Sequence, residues 1–148
     1  METLATAAPI DPRARGRRLE VLIADDDPGA RAMLAARVSE ALRDALVLQA
    51  KDGAEAVQVG LQRRPQLALL DVQMPRLGGV EAAITLRELR PAMRVALHTA
   101  DPPAHRERAR DHLLPLLDKL DPDAAVRWLE AQVEALAATR PPRNVLAR

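Results

Sequence analysis

LALLDVQMP, residues 67–75, is the segment from which the fold of this chain can be inferred. Residues 67–70 are apolar, as is typical of a strand buried on both faces of a parallel sheet. The run ends at Asp71, and Pro75 followed by Gly78-Gly79 predicts a turn out of the sheet. A lone carboxylate at the carboxyl end of a central strand lies where open α/β sheets bind their ligands. A turn-capping role is the alternative for Asp71, because Asp is common in turns.

The composition limits the class of protein. The chain has 148 residues, of which 48% are hydrophobic, and a net charge of +1; one Trp is its only aromatic residue. We therefore expect one domain with an aliphatic core. The absence of cysteine excludes disulfides, thiolate metal sites and a Cys nucleophile. Because no apolar run is long enough to span a membrane and no secretory signal is visible, we expect a cytoplasmic protein.

Apolar strands alternate with helices along the chain. We expect strands at residues 19–24, 45–50, 67–70, 94–97 and 113–117, each followed by a helix, the fourth at 102–111 and the last ending near Ala138. This alternation predicts a doubly wound, five-stranded parallel sheet with helices on both faces. Residues 1–18 are expected to form a flexible basic arm that is solvated rather than bound to nucleic acid. Residues 139–148 are expected to be a disordered tail, too short for an output domain.

Helix starts and helix faces can also be assigned. Three Asp-Pro pairs, at Asp27, Asp101 and Asp121, predict N-caps followed by proline at the first helical position. The apolar residues expected to face the core are Leu34, Val38 and Leu42 in the first helix and Ala54, Val57 and Leu61 in the second.

Two carboxylates at the end of the first strand are left unexplained by capping. Asp25 and Asp26 lie there, and such a pair suits a hard divalent cation such as Mg²⁺, which takes oxygen ligands. In a parallel sheet the same edge receives Asp71, Thr99 and Lys119 from the third, fourth and fifth strands. Acid, hydroxyl and ammonium groups from four strands therefore predict one site. The ammonium is unusual here, because only two of the 22 basic residues are lysines, and a compact point charge differs from a planar guanidinium.

These residues resemble the receiver domain of bacterial two-component response regulators. The resemblance lies in Asp25-Asp26, in Asp71 within LLDVQMP, in Thr99-Ala100, in Lys119 and in AKDGAEAV at residues 50–57, and it covers residues 19–138. It implies a flavodoxin-like (βα)5 fold of strand order 2-1-3-4-5, similar to the stand-alone chemotaxis regulators. It also implies a phosphorylation-controlled switch that turns over no external substrate.

The resemblance assigns a role to each residue of the site. Asp71 would accept a phosphoryl group from a histidine kinase, a phosphotransfer protein or a small acyl phosphate. Mg²⁺ would be held by Asp26, by Asp25 directly or through water, by Asp71 and by the backbone carbonyl of Gln73. Lys119 would pair with Asp71 and then with a phosphoryl oxygen. Thr99 would bind the phosphoryl group and signal to position 116, and the output would be contact with a downstream protein.

Three positions depart from the family pattern. Leu120 follows the lysine where proline is usual, Leu116 occupies the switch position that is usually aromatic, and the glycine usual before the fifth strand is missing. The chemistry of the site is expected to be intact. The usual coupling of a hydroxyl to an aromatic rotamer cannot operate in its usual form, because leucine has no polar tip.

Two alternatives to a working switch remain. One is a haloacid-dehalogenase-type phosphohydrolase, in which Asp25 and Asp27 would form the catalytic Asp-x-Asp pair. The other is a receiver fold that no longer switches. The three histidines, His98, His105 and His112, are expected to be surface or packing residues rather than metal ligands.

The last helix carries two apolar stripes. Val126, Leu129, Val133 and Leu136 are expected to face the sheet. Ala124, Trp128, Ala131 and Ala135 form a second stripe opposite, which we interpret as a face for a partner or a homodimer because Trp is frequent at binding hot spots. The alternative is that Trp128 packs over a neighbouring loop.

Overall fold

The computed structural model describes residues 18–139, so nearly all of the predicted basic arm and tail lie outside the described residues. The elements, in chain order, are β1 (Glu20–Ala24), α1 (Pro28–Ala41), β2 (Leu46–Ala50), α2 (Gly53–Arg63), β3 (Leu67–Asp71), α3 (Gly79–Leu89), β4 (Arg94–Thr99), α4 (Pro102–Asp111), β5 (Leu116–Asp118) and α5 (Ala124–Ala138). The five strands form one sheet of order β2-β1-β3-β4-β5, and all neighbouring strands are parallel. The predicted fold class and strand order are confirmed.

The central strand β3 is buried at all five positions. Its residues alternate between two apolar clusters, because successive side chains of a strand point to opposite faces. Leu67 and Leu69 belong to the cluster covered by α1 and α5, whereas Ala68 and Leu70 belong to the cluster covered by α2 and α3. No described helix is long and apolar enough to cross a membrane.

Two of the three predicted Asp-Pro caps begin helices. Asp27 accepts a hydrogen bond from the Gly29 N–H at 3.0 Å, and Asp101 accepts one from the Ala104 N–H at 3.4 Å. The cap predicted at Asp121 is wrong, because α5 begins only at Ala124. The Asp121 carboxylate instead accepts from the Asp123 N–H at 3.1 Å, which makes Pro122 part of a turn rather than the first helical residue.

The fifth strand is shorter and later than predicted. Residues 113–115 are not part of β5, because α4 ends in a turn that uses them. The Leu113 N–H donates to the Arg110 carbonyl at 3.0 Å and the Leu114 N–H to the Ala109 carbonyl at 2.9 Å, which is the hydrogen-bond pattern of a Schellman motif. Leu113 adopts the left-handed conformation, with a φ of 55°, that glycine usually occupies there.

The core face of α2 differs in part from the prediction. Val57 packs partly buried against the core as expected, but Ala54 is exposed, and the buried residues are Gly53, Ala56 and Gly60. A Cβ on Gly60 would lie 2.3 Å from the Leu86 side chain of α3, so this face is set by close backbone approach. A pattern of apolar side chains in the sequence cannot predict this kind of contact, because glycine has no side chain.

Helix α5 packs through a broader face than predicted. Leu129 is fully buried, and Val133 and Leu136 pack against the same cluster, as expected for the stripe that faces the sheet. Trp128 packs partly buried against that cluster too, so its predicted position opposite the packed face is not observed. A ring as large as indole reaches back to the core from the edge of the helix.

Candidate functional site

Four strand ends meet at one cavity, as predicted. Asp71 ends β3 and Thr99 ends β4, while Asp25 and Lys119 directly follow β1 and β5. The cavity has a volume of about 360 Å³, and its lining consists of Asp25, Asp26, Asp27, Asp71, Gln73, Thr99, Ala100, Asp101 and Lys119. Every site residue predicted from the strand ends therefore borders the same space.

Three carboxylates form an acidic cluster in this cavity. Oxygens of Asp25, Asp26 and Asp71 all lie within 4.8 Å of one another. Asp25 and Asp71 are buried, with 3% and 9% of their surface exposed, whereas Asp26 is open to solvent. Carboxylate oxygens are hard donors that suit Mg²⁺, and the exposed Asp26 leaves room for the waters that this ion retains. The residues present therefore fit a magnesium ion.

Lys119 supplies the positive charge of the site. Its Nζ lies 2.8 Å from Asp25 Oδ2 and 3.3 Å from Asp71 Oδ2. Its backbone N–H donates to the Thr99 carbonyl at 2.8 Å, which fixes the start of the side chain beside β4. Burial lowers the pKa of Lys119, but the Asp25 hydrogen bond and the two carboxylate charges outweigh it, so the pKa is raised overall. The ammonium is therefore protonated at neutral pH.

Burial changes the acidity of Asp71. Desolvation, with the nearby charge of Asp25, raises the pKa of Asp71 to about 6, against the opposing effects of Lys119 and of the Gln73 backbone N–H. At neutral pH the carboxylate is ionised but poorly solvated. A poorly solvated anion next to a fixed ammonium is suited to act as a nucleophile.

Thr99 places a hydroxyl on the cavity wall. The residue is 4% exposed, and its Oγ1 accepts a hydrogen bond from the Asp101 N–H at 3.1 Å. The hydroxyl proton remains available for a group bound in the cavity. Gln73 borders the cavity through the loop after β3; a metal-binding role for its backbone carbonyl stays a prediction.

The histidines do not form a site. His98 lies in β4, His105 in α4 and His112 at the end of α4. Among the described residues, the acidic cluster is the only group of three or more His, Asp or Glu side chains close enough to hold a metal. His98 borders a smaller cavity of about 160 Å³ behind Lys119, and burial, together with the Lys119 charge, lowers the pKa of His98 to about 4.

Leu116 packs against the apolar cluster on the α2 and α3 side of the sheet, partly buried. A role of this residue in switching stays a prediction, as does a partner face that includes Ala124, Trp128, Ala131 and Ala135. Ala131 is the exposed member of that set, and the other three are half-buried.

Sequence reasoning missed one pair of residues near the site. Asp52 is 2% exposed and pairs with Arg76, which lies in the loop after β3. Asp52 and Glu55 carry a recognisable capping pattern, but nothing in the sequence connects Asp52 to an arginine 24 residues later.

Comparisons with known proteins show what the chain is similar to. Residues 21–112 match the model of the response regulator receiver domain. The chain is 37% identical over 90 residues to the probable transcriptional regulatory protein TcrX of Mycobacterium tuberculosis, covering 60% of this chain and 37% of that protein. It is 42% identical over 64 residues to a protein-glutamate methylesterase/protein-glutamine glutaminase of Myxococcus xanthus, covering 43% and 18%. The chain spans less than half the length of these curated relatives.

Solved structures are similar over most of the described residues. A two component transcriptional regulator AraC from Clostridium phytofermentans is 29% identical with a TM-score of 0.70, covering 81% of this chain and 95% of that one. A CheY-like receiver domain protein from Methanospirillum hungatei has a TM-score of 0.74 at 17% identity, covering 83% and 99%, and supports the fold alone.

Proposed function

This chain belongs to the response regulator receiver domain family, and from that premise we propose that it is a signalling switch controlled by phosphorylation of Asp71. The phosphoryl donor would be a histidine kinase or a phosphotransfer protein, and the output would be contact with a downstream protein. The observation that carries the proposal is the position of Asp71, a buried carboxylate at the end of β3 with the Lys119 ammonium 3.3 Å away.

The proposed transfer conserves all atoms of the phosphoryl group. An Asp71 carboxylate oxygen attacks phosphorus, a new P–O bond forms, and the bond from phosphorus to the donor nitrogen breaks as the imidazole leaves. The product is an acyl phosphate, which is reactive and makes the modification transient. Lys119 would then balance charge on the phosphoryl oxygens, and the Thr99 hydroxyl would donate a hydrogen bond to one of them.

Magnesium is the cofactor that the family implies, and the acidic cluster would hold it. Asp25, Asp26, Asp71 and the Gln73 carbonyl are the proposed ligands. When bound, the ion would neutralise negative charge on the transferred group.

The domain is proposed to extend past the family match, which ends at residue 112. Lys119 lies beyond that point, and β5 and α5 complete the sheet and its apolar cover through residue 138. Without these elements the site would lack its cation.

We propose no turnover of an external substrate. In the phosphohydrolase alternative Asp27 would serve as the second catalytic acid, but its carboxylate caps α1 through the Gly29 N–H. An assay with a generic aryl phosphate separates the two readings, because a receiver would release no phosphate catalytically from it.

The test of the proposed function is intact mass after incubation with acetyl phosphate and Mg²⁺. We expect one added phosphoryl group on the wild-type chain and none on Asp71→Asn. Asp101→Asn is the matched control, because Asp101 borders the same cavity but lies outside the acidic cluster, and it should label like wild type. A wild-type chain that gains no mass would refute the proposal and favour a receiver fold that no longer switches.

A further inference from the structure

Asp52 is a buried carboxylate at the carboxyl end of β2. It is 2% exposed, and each of its oxygens has a different partner. Oδ1 accepts from the Glu55 N–H at 2.8 Å and so caps α2, while Oδ2 accepts from Arg76 Nε at 3.0 Å and from Arg76 Nη2. The Glu55 hydrogen bond and the Arg76 guanidinium hold the pKa of Asp52 below its usual range. Both oxygens of the Asp52 carboxylate therefore have hydrogen-bond donors within the protein.

Arg76 belongs to the loop of residues 72–78, which joins the proposed phosphorylation site to α3. Its φ of 66° lies in the left-handed region. A residue other than glycine keeps this conformation when its surroundings impose it. The arginine side chain is 63% exposed, and its ion pair with the buried Asp52 connects the loop to the start of α2.

The carboxyl end of the same loop is packed against α2, and Gly79, which follows the loop, is packed against Asp71. A Cβ on Gly53 would lie 2.0 Å from the Leu77 carbonyl oxygen, and a Cβ on Gly79 would lie 2.0 Å from the Asp71 carbonyl oxygen. The Gly79 N–H closes the loop by donating to the Val72 carbonyl at 2.9 Å. Close packing therefore joins the loop to the start of α2 and to the end of β3.

The loop also borders the cavity that contains Asp71. Gln73, two residues after Asp71, lies on the lining of this cavity together with Asp71. Arg76 follows three residues later. The path from Asp52 to the phosphoacceptor therefore consists of one ion pair and one short loop that begins directly after Asp71.

We propose that Asp52 and Arg76 are positioning residues for phosphoryl transfer, whose ion pair fixes the loop so that Gln73 and Asp71 keep their reactive geometry. Neither residue touches the reacting atoms. The inference rests on the proposed function, because it assigns a role toward the phosphorylation of Asp71. A pair that only stabilised the fold would leave the rate of phosphorylation of the folded protein unchanged.

The test compares Arg76→Ala, Arg76→Lys and the control Arg63→Ala in the full chain. Arg63 is a good match, because it is 48% exposed and pairs with the largely buried Glu20 at the start of β1, at the opposite edge of the sheet from the loop. The readouts are the initial rate of mass gain from acetyl phosphate at saturating Mg²⁺ and the Mg²⁺ dissociation constant from calorimetry. Both readouts are measured at low temperature, on variants that circular dichroism has shown to be folded.

We expect Arg76→Ala to lower the rate by about tenfold or more, since small misplacement of reacting groups is costly. Arg76→Lys should recover part of the rate, because lysine keeps the charge but not the two-donor fork. Arg63→Ala should match wild type. If Arg76→Ala does not fold, the variant with both Asp52→Asn and Arg76→Gln takes its place, because it removes the buried charge and keeps an acceptor for the Glu55 N–H.

A folded Arg76→Ala, or a folded double variant, with the wild-type rate and Mg²⁺ dissociation constant would overturn the inference and leave the proposed function intact. A wild-type chain that takes up no phosphoryl group would overturn the proposed function and this inference with it. The two failures are therefore distinct.

Discussion

Replacing Asp71 with Asn is expected to stabilise the folded protein at neutral pH, although it removes the proposed phosphoacceptor. The reason is the cost of keeping this carboxylate ionised where it is buried. Its pKa is about 6 in the folded protein against 3.8 for an ordinary Asp. Each unit corresponds to about 1.36 kcal/mol, so full ionisation costs on the order of 3 kcal/mol of folding free energy. The side chain is only 11% exposed, so solvent screens little of this cost.

The pH dependence of the effect follows from the direction of the shift. Because the pKa is raised, the folded state binds the proton more tightly than the unfolded state. Below about pH 4 both states are protonated and the cost is absent, and it grows as the pH rises to about 6. Asn does not ionise, so the advantage of Asp71→Asn should appear over this window and stay constant above it. Lys119 also contacts Asp25 at 2.8 Å, so it does not depend on Asp71 alone for an anionic partner.

Urea denaturation at about pH 4 and about pH 7.5 measures this difference. Asp44→Asn is the control, because Asp44 is exposed in the turn before β2 and should show no comparable gain. Our reasoning would be refuted by an Asp71→Asn variant that is no more stable than wild type at the higher pH. It would also be refuted by a gain of equal size at both pH values.

Four further outcomes are expected. Saturating Mg²⁺ should raise the melting temperature, with about 2.7 kcal/mol available at a hundredfold excess over Kd, and Asp26→Ala should abolish the rise; an unchanged wild-type melting curve would contradict the metal site. Leu113→Gly should raise the unfolding free energy by up to about 1 kcal/mol, because it relieves a left-handed φ of 55°, and a lower urea midpoint would count against this. Trp128→Ala should lower the unfolding free energy by roughly 2 kcal/mol, because the ring packs against the core, and any partner face there would also lose affinity in a binding assay; unaltered stability would show that the packing is weak. Hydrogen exchange with and without beryllofluoride should change little at residues 113–117, because Leu116 has no polar tip to move into solvent, and large changes there would contradict this.

The sequence was sufficient for the topology and for the gathering of the site. Alternating strands and helices predict a parallel sheet, and in such a sheet the carboxyl ends of all strands lie at one edge. Asp25, Asp71, Thr99 and Lys119 could therefore be placed together without any knowledge of their contacts. What the sequence did not show is that Lys119 lies closer to Asp25 than to Asp71.

The errors have identifiable physical causes. Leu113 and Leu114 have the apolar character of a strand, but they complete the hydrogen bonds that end α4. Gly53 and Gly60 have no side chain to contribute to an apolar pattern, yet they define where α2 meets its neighbours. The Asp52–Arg76 pair depends on the position of a loop, and only the folded chain brings its members together.

The most direct test of the central claim is to locate the phosphoryl group on the chain. The protein is incubated with acetyl phosphate and Mg²⁺, reduced with borohydride, which converts an aspartyl phosphate to homoserine, and mapped by peptide mass spectrometry. We expect homoserine at position 71 and at no other carboxylate of the cavity. Homoserine at position 25 or 26, or an unmodified Asp71 in protein that has gained a phosphoryl group, would contradict the account.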